Sequence, residues 1–307
     1  MISILLSTYN GEKYLKEQLD SLFAQTYSKI KIIVRDDGSS DDTLKILNSY
    51  DIELLQSNKN LGVKESFLAL LDYAVKNTQS EHFMFCDQDD VWEKEKIEKT
   101  LKKMREMELR YPNLPLLVHT DLKVVDENLQ IINESFWNHD HINPEFNKFN
   151  NLLMQNTVTG CTVMINKKLA LSVLPIPENI IMHDWWLGLV ASQFGKIGFI
   201  DEALILYRQH SNNSIGAKGF DYSVVIEKFY MIFYKDGFYL KRIKDNILQA
   251  KVFLDRYRDK LDKETVDMLE DFTVIESKSF WKKREILLRY RLLKQGFLRN
   301  LGLFLKI

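Results

Sequence analysis

The chain opens with short, wholly apolar runs that alternate with stretches of helical periodicity. Ile2–Leu6 is such a run, and polar residues follow it at once. Leu15, Leu19, Leu22 and Phe23 then recur at helical spacing and predict a helix with one apolar face. The unit repeats. Ile30–Val34 precedes a helix carrying Leu44 and Leu47, with Ser40 or Asp41 placed to cap it. Ile52–Leu55 precedes a helix carrying Phe67, Leu70, Leu71 and Ala74, and Phe83–Cys86 precedes a charge-rich helix over 93–110. Apolar runs without alternation predict strands buried on both faces, and strand–helix alternation predicts an α/β fold with a mostly parallel sheet and flanking helices. Ligands of such sheets bind beyond the carboxyl ends of the strands. The polar segments at 7–10, 36–43 and 87–90 are therefore expected on one rim.

Farther on, Pro115–His119 predicts a strand, Asp121–Ile132 a hairpin turning at Asp126-Glu127-Asn128, and residues 133–151 an excursion over the rim. Gly160, inside the apolar Val158–Ile165, fits a close backbone approach or a strand bulge equally well. A short helix over Lys167–Val173 is stopped by Pro175 and Pro177. Ile197–Ile200 and Ala203–Tyr207 predict two short strands before a polar loop reaching Ser214. From residue 220 the pattern is helical: Ile243, Ile247, Ala250, Leu254 and Tyr257 keep one face, and Asp262 is placed to cap a further helix. The expected division is a catalytic-type α/β domain over 1–217 and a helical region over 218–307.

Charge supports that division. Residues 1–217 hold 22 Lys and Arg against 30 Asp and Glu, whereas residues 218–307 hold 20 against 13. The segment Lys278–Lys306 carries nine basic residues and one acid, Glu285, with Ile286, Tyr290, Leu293, Phe297 and Phe304 near one face. A basic amphipathic tail of this kind fits an anionic membrane surface, or else a docking helix packed on protein. Two cysteines, Cys86 and Cys161, both in apolar runs, predict buried thiols in a reducing compartment. No basic leader precedes the first apolar run and no run reaches the length of a spanning helix, so a cytoplasmic location is expected.

The candidate chemistry lies after Phe83–Cys86. Asp87, Asp89 and Asp90 place three carboxylates in four residues at a strand end. Such a cluster raises its own pKa values unless cations or donors offset the charge. Hard divalent cations take oxygen ligands, often one or two carboxylates together with substrate phosphates. The competing reading is an acidic turn capping the next helix. Asp184 likewise stands at a helix start, Trp185 and Trp186 fit a core, and His210 fits a solvated loop.

Taken together, four segments resemble the inverting nucleotide-sugar glycosyltransferases of family 2, which have the GT-A fold. They are Leu6-Ser7-Thr8-Tyr9-Asn10-Gly11, Asp36-Asp37-Gly38-Ser39-Ser40-Asp41-Asp42-Thr43, Asp87-Gln88-Asp89-Asp90 as the D-x-D element, and His183-Asp184-Trp185-Trp186. They occur in family order and span roughly residues 1–215. The Asp-Gln-Asp-Asp-Val-Trp form and the loop Tyr207-Arg208-Gln209-His210-Ser211-Asn212-Asn213 are most similar to bacterial rhamnosyltransferases of surface-polysaccharide assembly.

The resemblance implies roles. Ser7, Thr8, Tyr9, Asn10, Glu12, Asp37, Asp87, Gln88 and Asp89 would hold the nucleotide sugar, with Tyr9 stacked on the base and Asp37 accepting its N–H. Asp89, Asp90 and His210 would hold Mn²⁺ or Mg²⁺, Asp184 would be the base, and Trp185 and Trp186 would meet the acceptor. It further implies a dTDP- or UDP-linked donor, a lipid-linked glycan acceptor and work at the inner membrane face. A homodimer is compatible with it, and no nucleic acid is expected. A UDP-hexose or UDP-N-acetylhexosamine transferase of the same fold, or a non-catalytic glycan- or membrane-binding scaffold, are the alternatives. A nucleotidyltransferase would favour a Gly-rich basic phosphate loop near the first strand, which residues 7–13 lack.

Overall fold

The computed structural model describes residues 1–210 and 236–307. The chain divides into two compact units. One comprises 1–142, 158–176 and 190–218, and the other 143–157, 177–189 and 219–307. The expected polar loop at 211–214, the helix onset at 220 and the 217/218 boundary lie outside the described residues.

The first unit is built on a nine-stranded mixed sheet. Its strands are β1 (Ile2–Thr8), β2 (Ile30–Asp36), β3 (Glu53–Gln56), β4 (His82–Cys86), β5 (Val91–Trp92), β6 (Leu116–Val125), β7 (Ile131–Asn133), β8 (Met164–Asn166) and β9 (Lys196–Arg208). They run in the order β3-β2-β1-β4-β8-β6-β9-β5, with β7 paired on β6. β1 is parallel to β2 and β4, and β2 to β3. The parallel half matches the region of strand–helix alternation. Register pairs Thr8 with Asp36 and Leu6 with Cys86, so the polar segments after β1, β2 and β4 emerge at one rim. Beyond β4 the sheet changes sense: β8 is antiparallel to β4 and β6, β9 is parallel to β6, and β5 is antiparallel to β9.

Helices Leu15–Phe23 and Val63–Asn77 pack by the positions their spacing predicts. Leu15, Leu19, Leu22, Phe67, Leu70, Leu71 and Ala74 are all buried. Phe67 meets Phe85 of β4 edge-on, with centroids 5.8 Å apart. Phe23 departs from expectation. It is 48% exposed and leans on Tyr50 at 5.4 Å, because it lies about 80° from Leu15 around the helix axis, at the margin of the stripe. β9 is also a correction: the two expected short strands are one. The exposed Asp201-Glu202 pair interrupts the apolar run but not the pairing, which passes it through register shifts against Thr120 and Asp121 of β6. Gly160 opens a 3₁₀ turn, Gly160–Thr162, ahead of β8.

The second unit is helical. Its helices include Phe149–Met154, Asp236–Tyr257, Lys263–Thr273, Phe280–Arg289 and Phe297–Lys306. Asp262 caps the third of these, accepting the Thr265 N–H at 2.8 Å. Ile243, Ala250, Leu254 and Tyr257 are buried, as their spacing predicts, and Ile247 is half-buried. Side-chain amides cross-link the segments: Asn246 Nδ2 donates to Met154 O at 3.1 Å, and the Ile181 N–H donates to Gln249 Oε1 at 2.9 Å. Gln295 exchanges two bonds with the Asn143 backbone. The basic tail is not one helix. Left-handed backbone at Arg291 (φ 52°) and Gly296 (φ 80°) splits it.

Two substitutions test this packing. Phe67→Ala should lower unfolding stability by about 3–5 kcal/mol in chemical denaturation, against under about 0.5 kcal/mol for the exposed Leu171→Ala. A Cβ on Gly195 would overlap the Pro115 carbonyl oxygen, which accepts the Lys196 N–H and cannot yield as a side chain would. Gly195→Ala should therefore cost about 1–3 kcal/mol in the same measurement.

Candidate functional site

The rim loops of the first unit are bonded to each other. Asp36, 1% exposed at the end of β2, accepts the Gly38 and Ser39 N–H groups on one oxygen and the Thr8 and Ser39 hydroxyls on the other. The loop after β1 meets the loop after β2 in a reciprocal ladder. The Asn10 N–H donates to Ser39 Oγ at 2.9 Å, and Asn10 Oδ1 accepts the Ser40 N–H at 2.9 Å. The Glu12 N–H donates to Asp41 Oδ2 at 3.1 Å, and Glu12 Oε2 accepts the Asp42 N–H at 2.8 Å. Asn10 takes a left-handed conformation (φ 48°), which its short polar side chain tolerates. Asp41 also accepts the Thr43 N–H at 3.0 Å, so the helix Thr43–Leu47 is held by Asp41.

The third loop joins them through Gln88. Its amide accepts the Tyr9 N–H at 2.9 Å and donates to Tyr9 O at 3.1 Å. Gln88 passes so close to Gly11 that a Cβ there would lie 2.5 Å from its oxygen. Tyr9 is thus fixed by its backbone while the residue remains 48% exposed. Asp37 is buried, paired with Arg35, and accepts the Leu61 and Gly62 N–H groups at 3.0 and 2.9 Å. Ser7 Oγ donates to Ser66 Oγ at 2.8 Å.

The acidic residues separate by direction. Asp89 faces His210, with Oδ2 and Nε2 2.9 Å apart, and the His210 ring lies against Tyr14 at 4.9 Å. Asp90 turns inward. It is fully buried, one carboxylate oxygen accepts the Arg208 N–H at 3.2 Å, and the other has no nitrogen or oxygen donor among the described residues. Ligand atoms of Asp87, Asp90 and Cys161 lie within 4.8 Å of one another. Burial, followed by the charges of Asp89 and Asp87, pushes the Asp90 carboxyl well above the usual carboxylate range. Burial likewise raises the Cys86 and Cys161 thiols. Beneath them lies Lys96, fully buried, with Nζ 4.3 Å from the Trp92 ring centre. Desolvation lowers its pKa to about 8, opposed by the nearby acidic groups.

This donor set fits a divalent cation. Asp89 and His210 present oxygen and nitrogen at the rim, while the Asp90 carboxylate lies beside Asp87 and Cys161. The expected trio Asp89, Asp90 and His210 is thus brought together only in part, since Asp90 points toward Cys161. The reason is that Arg208, arriving on β9, takes one of its oxygens.

Arg208 is the residue the sequence reading left without a role. It is 2% exposed; Nε donates to Asp89 O at 2.8 Å, one terminal nitrogen to Glu127 O at 2.5 Å, and the other to the Glu17 carboxylate. Its guanidinium stacks on Tyr14 at 4.4 Å. Its position two residues before His210 was the available signal, but its partners come from segments distant in sequence.

The remaining candidates belong to the second unit. Asp184 opens the helix His183–Phe194; Oδ1 accepts the Trp185 N–H at 2.6 Å and Oδ2 accepts Asn156 Nδ2 at 3.3 Å. Trp185 and Trp186 offer little ring surface to an acceptor, contrary to expectation. Trp185 is 8% exposed with Nε1 bonded to Leu152 O, and Trp186 is fully buried against Phe253 and Tyr257. Aromatic burial explains both positions.

Comparison with known proteins gives this arrangement its family. An uncharacterized glycosyltransferase of Rickettsia typhi is 28% identical over 211 residues, 68% of this chain and 64% of that protein. Another from Rickettsia felis is matched over 29% of its length, so the chain spans less than two thirds of each. The dTDP-rhamnosyl transferase RfbG of Shigella flexneri is 28% identical over 69% of this chain and 74% of its own. Among solved structures, Staphylococcus aureus TarS 1–349 in complex with UDP superposes with a TM-score of 0.55 at 19% identity, covering 91% of this chain and 72% of that one. The mannosyltransferase PcManGT of Pyrobaculum calidifontis, with GDP-Man and Mn²⁺, gives 0.53 at 13%, covering 99% and 78%. These neighbours fix the fold as GT-A-like. Residues 3–168 match the Glycosyl transferase family 2 model, more than half of the chain, and the protein belongs to that family.

Proposed function

We propose that the chain is a metal-dependent, inverting glycosyltransferase that moves L-rhamnose from a dTDP-linked donor to a lipid-linked glycan at the inner face of the cell membrane. The observation that carries the enzymatic reading is the pairing of Asp89 with His210 at 2.9 Å on the rim that also bears Tyr9 and Asp37. The rhamnosyl choice is supported by the relative RfbG, named as a dTDP-rhamnosyl transferase. A non-catalytic scaffold is disfavoured because the acidic loop, the histidine and the base candidate are all present.

In this reading Tyr9 stacks on the nucleobase, and Asp37, expected to accept the base N–H, is buried on Arg35, Leu61 and Gly62 and fixes the rim beside it. Asp89 and His210 would hold the cation. When bound, that cation acts as a Lewis acid that offsets the charge of the leaving diphosphate. Asp184 takes the proton of the acceptor hydroxyl as its oxygen attacks the anomeric carbon. The bond from that carbon to the diphosphate oxygen breaks, and the nucleoside diphosphate departs. One displacement inverts the configuration and needs no carboxylate nucleophile, as in the inverting hydrolases, where a carboxylate activates the incoming oxygen. Asn156 and the Trp185 N–H hold the Asp184 carboxylate in place.

Thermal unfolding with Mn²⁺ or Mg²⁺ and each of dTDP, UDP, GDP and ADP should show the largest, metal-dependent stabilisation with dTDP. A UDP preference would move the donor to a UDP-hexose or UDP-N-acetylhexosamine, and no response to any nucleotide would sink the enzymatic reading. Asp184→Asn should lower turnover by about 10²–10⁴-fold while nucleotide binding is kept. Turnover within a few-fold of the parent would remove Asp184 as the base. Asp89→Ala should abolish the metal-dependent part of nucleotide binding in the same thermal assay, and an unchanged response would place the cation elsewhere.

A further inference from the structure

The split tail sorts its apolar residues into two sets. Ile286, Leu287, Leu292 and Leu303 turn inward and are 0–1% exposed. Phe280, Trp281, Leu288, Phe297 and Leu305 turn outward, at 57, 78, 60, 78 and 49% exposure. The outward set is not scattered. Trp281 and Leu288 lie seven residues apart and so share one face of the helix Phe280–Arg289, and Phe280 meets Trp281 edge-on at 5.2 Å. Phe297 and Leu305, eight apart, lie about 80° from each other around the helix Phe297–Lys306 and are both exposed. Arg284 binds the two helices together. It donates to the Phe280, Phe304 and Ile307 carbonyls, and its guanidinium covers the Phe280 ring at 3.5 Å. The start of one helix and the end of the other are therefore joined, and the outward residues are presented by a fixed frame.

Five large apolar side chains at such exposure are unusual for a surface that meets only water. Their setting identifies the occupant. The same segment, Lys278–Lys306, carries nine Lys and Arg against the single acid Glu285, and Arg289 and Arg291 are exposed beside the apolar set. Aromatic rings flanked by basic side chains complement a lipid headgroup layer, where Trp and Phe enter the acyl boundary and Lys and Arg meet anionic phosphates. Each helix has ten residues, half of what a bilayer requires, and no described helix is long and apolar enough to cross one. The helices would lie in the interface plane.

We propose that the outward face of Phe280–Lys306 is a docking surface for an anionic lipid membrane. The inference rests on the membrane-side acceptor of the preceding reading, and it names the contact that brings the enzyme to that acceptor. The test uses the full chain in sedimentation with vesicles of phosphatidylcholine alone or of equal parts phosphatidylcholine and phosphatidylglycerol. Binding is expected only to the anionic vesicles and should weaken as salt is raised. The triple variant Trp281→Ser, Phe297→Ser, Leu305→Ser should bind at least about tenfold more weakly, since each change removes an exposed apolar side chain that the bilayer would bury. Unaltered vesicle binding by this variant would overturn the proposal. So would an absence of binding by the parent, or conversion of a parent dimer to monomer by the same substitutions in light scattering, which would make the face a contact with a second copy. Nucleotide-dependent thermal shifts on the same samples separate the two readings: they should survive the triple change, and their absence in the parent would count against the enzyme rather than the docking face.

Discussion

A guanidinium that is 2% exposed is tolerated only where its donors find acceptors, and Arg208 finds its partners in three separate segments. It reaches the backbone of the acidic loop at Asp89, the turn at Glu127, the helix residue Glu17 and the face of Tyr14, while its own N–H holds Asp90. The orientation of the carboxylates follows from this. With Asp90 pulled inward, Asp89 is left to face His210, which lies two residues past Arg208 on the same chain segment. Lys96 adds a second buried basic group beneath the loop, its pKa lowered to about 8 by desolvation. The offset is incomplete, since burial and the charges of Asp89 and Asp87 still push the Asp90 carboxyl well above the usual range.

The rim gains rigidity from side chains bonded to backbone. Asn10, Glu12, Ser39 and Asp41 satisfy one another's loops across some thirty residues of sequence, and Gln88 fastens Tyr9 through both of its backbone groups. Loops carry unpaired N–H and C=O groups that must be satisfied somewhere. Here the satisfaction of each loop comes from the next, so the three segments form one surface. Several residues that the family resemblance implies as ligands of the nucleotide sugar, Thr8, Asn10, Glu12 and Gln88 among them, spend their polar atoms in this lattice. Their part in donor binding, within the proposed function, is then to hold Tyr9, Asp37 and Asp89 in place.

The parallel half of the sheet was legible because strands buried on both faces leave uninterrupted apolar runs, as in Ile2–Leu6 and Phe83–Cys86, and their helices keep a simple stripe. The antiparallel half was less so. β5 has two residues, too few for any periodicity, and β9 contains a polar pair that pattern alone reads as an end. In the site, residue types were legible while partnerships were not. Asp89 and His210 stand 121 residues apart, and nothing local distinguishes the outward Asp89 from the inward Asp90. The tail's basic, apolar character was plain, but its faces were not, because the helix breaks at Arg291, a residue that gives no warning of a left-handed turn.

Cys86 and Cys161 are both at most 2% exposed and both have thiols raised by burial next to the acidic loop. Since the thiolate is the reactive species, burial holds each thiol in its less reactive form. The same pair would become reactive only when the strand end opens to water. The rate at which a small thiol reagent labels these two positions therefore reports how often the strand end is exposed, independent of any turnover.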